Sequence, residues 1–168
     1  KEMIGKENVE SALKNMIDSF GYKEPPYPAS YELVNRFEER TPDSLKYLIT
    51  DLFRKITMFN NKVVDASVKK TGNEFEVTMT VSAEKMYADS LGHEKKVKIG
   101  DWIEVGVFAE PQGEKKLGKA LVLERVKFDS NSRTFTFRTK VEPYQVAIDP
   151  YCYLVDRVLD DNLKKVSL

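Results

Sequence analysis

Few residues in this chain have the type and spacing that catalysis requires. It contains one histidine, His93, and one cysteine, Cys152. A catalytic zinc centre takes two or three histidines, often as a helical His-Glu-x-x-His pair, and a nucleophilic side chain needs a base held beside it. A single imidazole between Gly92 and Glu94 supplies neither, and in a stretch rich in turn formers it reads as a solvated loop residue. No Gly-x-Ser-x-Gly elbow occurs. Cys152 cannot close an internal disulfide and reads as a small buried hydrophobe.

Two groups of carboxylates remain. Asp149, Asp156, Asp160 and Asp161 crowd the C-terminus, and hard cations such as calcium are held by several such oxygens. A calcium loop needs ligands alternating around a glycine, which Tyr151 to Val155 does not offer, so these acids read as turn-forming or solvated. Glu38 and Glu39, beside Arg40, read as a solvated helix end, and no spacing marks a glycosidase pair. No catalytic, cofactor-binding or metal-binding residue is therefore assigned, and no cofactor is expected in this chain. The aromatics Trp102, Tyr144, Tyr151 and Tyr153 allow two readings. Exposed, they can stack on sugar rings; buried, Trp102 is the large core residue of a central strand and the tyrosines close one end of a sandwich. Alternation alone does not separate the two.

The elements that must position these residues change character partway along the 168-residue chain. Val9, Ala12, Leu13, Met16, Ile17 and Phe20 recur at the spacing of one helix face, with Asn8 placed to cap the first turn and Gly21 to stop the helix in a left-handed conformation. Pro25, Pro26 and Pro28 enforce an extended connector. A short helix follows, capped by Ser30 and burying Tyr31, Val34 and Phe37. A third, with Thr41 as cap and Pro42 at its first position, carries Leu45, Leu48, Ile49, Leu52, Phe53 and Ile56 on one face and runs to about Thr57.

From Asn60 the period becomes two. Val64, Ala66 and Val68 lead through the Thr71-Gly72-Asn73 turn to Phe75, Val77, Met79 and Val81, which spells a hairpin. Trp102 to Ala109 is nearly all apolar, as a central strand is, and Pro111 to Gly113 ends it. Gly118 to Phe128 and Arg133 to Val141 flank an Asp129 to Ser132 turn and predict a second hairpin, with Phe135 and Phe137 opposite Thr134 and Thr136. Tyr144 to Ile148 reads as the last strand. The expected fold is α+β: helices over 1–58, then an antiparallel β-sandwich over 59–168 of about seven strands, immunoglobulin-like or fibronectin-like.

Charge narrows the function classes. The 27 basic and 27 acidic residues cancel, so the excess of Lys and Arg that phosphate binding demands is missing, and nucleic acid is not an expected partner. Apolar runs such as Ala120 to Leu123 fall far short of the ~20 residues that span a bilayer, so a soluble domain without membrane insertion is expected. The start at Lys1, with a structured segment almost at once, reads as a chain cut from something longer.

Several ordered blocks then coincide. The run TPDSLKYLITDLFRKIT from Thr41 to Thr57, followed by Asn60, Asn61 and Lys62, resembles the end of aminopeptidase N-like zinc peptidases, above all bacterial forms fused to an ABC-transporter permease. The Pro25, Pro26, Tyr27, Pro28 linker with Ser30, the blocks Asp101-Trp102-Ile103 and Gly106-Val107-Phe108, and the closing Ile148 to Tyr151 with Leu154, Asp156, Arg157 and Asp160 to Asn162 extend the resemblance over most of the chain. Cys152 and Tyr153 depart from it where polar residues belong, and Val158-Leu159 where a turn belongs. The resemblance implies a non-catalytic C-terminal piece of a membrane-associated parent in the bacterial inner membrane. Zinc and its ligands would lie upstream, and the rest of that parent would be the partner. The competing expectation is an independent carbohydrate- or peptide-binding sandwich.

Overall fold

The first apolar stripe folds as helix α1, Lys6–Phe20, in a computed structural model that describes residues 1–114 and 116–168. Two boundary expectations are corrected. Asn8 lies inside the helix and its Nδ2 donates to the Ile4 carbonyl at 2.7 Å, while Gly5, at φ 86°, takes the cap position. Gly21 is extended at φ −63° and Tyr22, at φ 58°, is the left-handed residue. Glycine is needed at 21 for approach rather than for φ, because a Cβ there would stand 2.6 Å from the Ile17 oxygen.

The proline-rich connector leads to α2, Ser30–Arg40, in which Ser30 is the first helical residue rather than the cap. Val34 and Phe37 are half-buried, but Tyr31 is exposed, against expectation. Thr41 does not cap the next helix either; its hydroxyl donates to the Phe37 carbonyl at 2.7 Å and closes the end of α2. The continuous third helix is replaced by a 3-10 turn at Asp43–Leu45, one α turn, α3, at Tyr47–Ile49, and a wider π turn at Thr50–Arg54. A π turn closes on i→i+5 bonds and rotates every later side chain off the 3.6-residue face. Ile49, ahead of the π turn, is buried as its place on the apolar face predicts, whereas Asp51 in the turn is buried, Leu52 is 66% and Phe53 48% exposed, and Ile56 begins a strand. Phe53 stacks on Phe37 with centroids 5.8 Å apart, and Arg54 pairs with Glu38 at 2.5 Å.

These helices belong to one compact unit, Lys1–Ile56; the second, Thr57–Leu168, holds the strands. Among the described residues of the helical unit, Ala12 and Ile49 are the only fully buried apolar ones. No described helix is long and apolar enough to cross a membrane.

The strand unit is two antiparallel sheets around one core. In the first sheet the long strand β2 (Glu74–Ala88) lies beside β1 (Ile56–Thr71). Along its other side it pairs with β6 (Ser132–Thr139) over Phe75–Ser82 and with β3 (Glu94–Val97) over Lys85–Ala88. Alternation puts Phe75, Val77, Met79 and Val81 inward, and Gly72, at φ 63°, makes the turn into β2. The expected division of β6 holds: Phe135 and Phe137 pack on the core, while Thr134 and Thr136 meet Thr80 and Thr78 on the outer face. On β1 the inward parity shifts. Phe59, Asn61 and Val63 are buried, then Ala66 and Val68 pack inward, and Val64, expected inside, is exposed.

The second sheet has the order β5 (Ala120–Lys127), β4 (Trp102–Phe108), β7 (Gln145–Ile148), β8 (Leu163–Lys165). β4 is central, as its apolar run predicts, and bare backbone at Gly106 lets β5 approach, since a Cβ there would sit 2.7 Å from the Val122 oxygen. Three expectations change here. β5 and β6 are not a hairpin, because the Asp129–Ser132 turn carries the chain from one sheet to the other. β8 follows β7, so among the described residues there are eight strands rather than about seven. Trp102 has the parity opposite to buried Ile103, Val105 and Val107 and is only half-buried on the outer face, so it is not the centre of the core.

One tie spans the two sheets. The inward parity of β2 continues to Lys85, whose Nζ meets Asp101 Oδ1 at 2.9 Å and Oδ2 at 3.1 Å, with both side chains about 95% buried (5% and 3% exposed). The Asp101 carbonyl accepts the Phe128 N–H at 2.8 Å, at the point where the chain leaves β5. Asp101 thus fastens the first sheet to the crossing between sheets.

Candidate functional site

The acidic C-terminal segment and its aromatics are the residues that the fold gathers. β7 ends at Ile148, and Asp149 turns the chain at φ 45°, a left-handed conformation that Asp tolerates. Its N–H donates to the Glu104 carbonyl at 2.7 Å, and its two carboxylate oxygens accept the N–H groups of Tyr153 and Leu154, each at 3.0 Å. Asp156 does the same further on, accepting from Asn61 at 3.0 Å and Val158 at 3.2 Å. Phe59 and Asp156 form a parallel bridge, and Arg157 pairs with Glu94. Asp156 therefore ties this segment to β1 while Asp149 closes the segment's own loop, so these two of the four acids accept from turn N–H groups.

The segment presents its aromatics outward. Tyr151 and Tyr153 are 44% and 50% exposed, with ring centroids 5.9 Å apart and planes tilted by 41°. The buried reading of these two tyrosines is thus corrected: tethering of the Tyr153 and Leu154 N–H groups to Asp149 holds the backbone in a tight loop in which Leu154 packs on the core and the two tyrosines are exposed. Tyr144, half-buried, lies under the Lys165 ammonium at 5.1 Å. Cys152 is also corrected. It sits at φ 55° and is exposed, not a buried hydrophobe. Its thiol is pushed up by desolvation and then by the carboxylates of Asp149 and Asp156, which disfavours the thiolate that a nucleophile requires.

The remaining candidates lie elsewhere. His93 is exposed in the turn between β2 and β3, its Nδ1 3.0 Å from Asp89 Oδ2. The His93 N–H is the main cause that holds the Asp89 carboxyl below the ordinary range. Glu38 and Glu39 line a shallow polar cleft with Asn35 and Lys46 on the helical unit. Among the described residues, no three His, Cys, Asp or Glu side chains come together closely enough to hold a metal ion. Sequence reasoning missed Lys85 and Asn61. Counting the β2 alternation four residues past Val81 would have placed a lysine in the core, where it requires a carboxylate.

Asp149 has a titration of its own. Burial raises its carboxyl to about 6, against the pull of the Leu154 and Tyr153 N–H groups, and Asp156 and Glu104 add to the rise. The folded chain therefore binds this proton more tightly than the unfolded chain, whose value is the ordinary 3.8. The contribution is fully present below the unfolded value and is lost as pH rises through about 6. The urea midpoint of the strand unit should fall between roughly pH 4 and pH 7 on this account. Asp149→Asn should flatten that slope, and an unchanged slope would place the titration on another group.

No protein-family model matches the chain, and no curated protein matches it.

Proposed function

We propose that this chain is a non-catalytic interaction module, the C-terminal part of a membrane-associated zinc aminopeptidase-like protein, whose helical unit docks on the peptidase core. Its strand unit is then an appended immunoglobulin-like or fibronectin-like sandwich, and zinc and the chemistry lie upstream in a parent held in the bacterial inner membrane. The observation that carries this reading is the helical unit. Its apolar stripes are wider than the surface the unit itself covers: Leu13 and Ile17 on α1, and Leu52 and Phe53 on the π turn, remain exposed. Monomeric proteins rarely leave large apolar patches open, and such surface marks a site made to be covered. The ordered sequence blocks supply the identity of the cover. Cancelling charges support a protein partner over nucleic acid.

A second reading rests on the Tyr151 and Tyr153 pair, since two exposed rings on a tethered loop suit an independent carbohydrate- or peptide-binding sandwich. One experiment separates them. An antibody to this chain, applied to fractionated source cells, is expected to detect a membrane species much larger than 19.3 kDa. A single band at the chain's own mass would sink the first reading and leave the second, and zinc-dependent release of N-terminal amino acids by the isolated chain would sink the first outright.

A further inference from the structure

The sandwich buries a polar pair that no backbone group or ion pair satisfies. Asn61 on β1 is fully buried and Asn162, at the end of the 3-10 turn Leu159–Asn162, is 2% exposed. Both side-chain amides have Oδ1 and Nδ2 without a protein partner, and so does Oδ1 of neighbouring Asp161. In native proteins almost every such atom is hydrogen-bonded, to protein or to ordered solvent.

The segments that carry these groups are tied to each other. Asn61 shares its inward parity with Phe59 and Val63. Asn162 precedes β8 at the parity of Lys164 and Val166; Val166 packs on the core and Lys164 Nζ donates to the Val64 carbonyl of β1 at 2.8 Å. The Asn61 N–H donates to Asp156, and the Asp161 carboxyl, raised by burial and by Asp156, is drawn down by Lys62. The contacts of Asp156 with Asn61 and of Lys164 with Val64 therefore tie positions 61–64 of β1 to the C-terminal segment on both sides of Asn162.

We propose that Asn61, Asn162 and Asp161 form a buried site for ordered water, which joins the C-terminal segment to β1. The mixture of atoms chooses the ligand. Two amide nitrogens need acceptors and three oxygens need donors. Water is both, whereas a cation would serve the oxygens alone, leave the amide nitrogens unsatisfied, and meet Lys62 already beside Asp161. An internal water makes about three hydrogen bonds, so about two molecules serve the five atoms.

The test is nuclear magnetic resonance of the whole chain, with resonances assigned for the side-chain amides of Asn61 and Asn162. Both NH2 groups should show cross-peaks to water with the sign of long-lived bound solvent, unchanged by EDTA. Asn61→Ala should abolish the cross-peaks of Asn162, because the water is shared. Absence of cross-peaks in the wild-type chain would overturn the site, a result that does not depend on any variant folding. Shifts of the same amides on titration with calcium chloride, together with a raised melting temperature, would overturn the ligand in favour of a cation. Retention of the Asn162 cross-peaks in a folded Asn61→Ala chain would overturn the sharing.

Discussion

Asp101→Ala is expected to destabilise the strand unit by about 3–5 kcal/mol, a large part of the roughly 5–15 kcal/mol that an ordinary domain holds. The carboxylate removed is 3% exposed and grips the Lys85 ammonium through both oxygens, at 2.9 and 3.1 Å. It also accepts the Gly100 N–H at 3.1 Å. After the substitution the ammonium keeps the ring faces of Phe59 and Tyr87, each centroid 5.7 Å away, but loses the carboxylate that held it through both oxygens. Weak attraction to a ring does not replace a desolvated ion pair. The matched double replacement, Lys85→Met with Asp101→Leu, removes both charges and should cost much less than Asp101→Ala alone, because no uncompensated charge remains. Trp102 adjoins the altered residue and is the chain's single tryptophan, so its fluorescence during urea unfolding reads the strand unit directly. A loss under about 1 kcal/mol would show that solvent reaches Lys85 and that the pair does not fasten the sheets.

Phe128→Ala should cost about 3–5 kcal/mol by a different route. Phe128 is fully buried where the chain passes from β5 to β6, its ring tilted 55° against Phe135 at 6.1 Å. Phe135 in turn stacks on Phe137 at 5.9 Å. Truncation removes the apolar area and opens a cavity where this turn packs down onto the core. Its backbone N–H to the Asp101 carbonyl is retained, so the whole loss belongs to the side chain. Phe128→Leu, which keeps most of the volume, should lose less. Because Phe128 and Asp101 touch, the two alanine variants combined should fall short of the sum of the singles, and simple additivity would count against a shared hub.

These two residues also show where sequence reading stops. The Asp129–Ser132 turn was plain from residue type, since Asp, Ser and Asn favour such conformations within a few bonds. Whether the strands on its two sides pair with each other was not, because the same turn serves a hairpin or a passage between sheets. Phe128 decides it: buried on the core, it aims the following strand at β2 instead of back along β5. Likewise the turn at Gly72, the central position of β4 and the opposed Phe and Thr faces of β6 followed from local period and composition. The third helix did not, since a π turn leaves no mark in residue spacing that an ordinary helix would not also leave.

The candidate site divides in the same way. The sequence by itself determined that the chain holds one histidine, one cysteine and C-terminal carboxylates without the spacing of a calcium loop, since these are facts of composition and order. It pointed too to turns at Asp149 and Asp156, because Asp seeks nearby N–H groups. Only the tertiary structure decided that Tyr151 and Tyr153 face outward, that Cys152 is exposed, and that Asn61 is buried beside the C-terminal segment. Backbone preferences act over a few residues, whereas exposure and partner choice depend on which distant surface arrives. Residues 61 and 156, or 85 and 101, meet only after the sheets have closed. The burial of the shared apolar core, not the local pattern at either end of those pairs, brings them together.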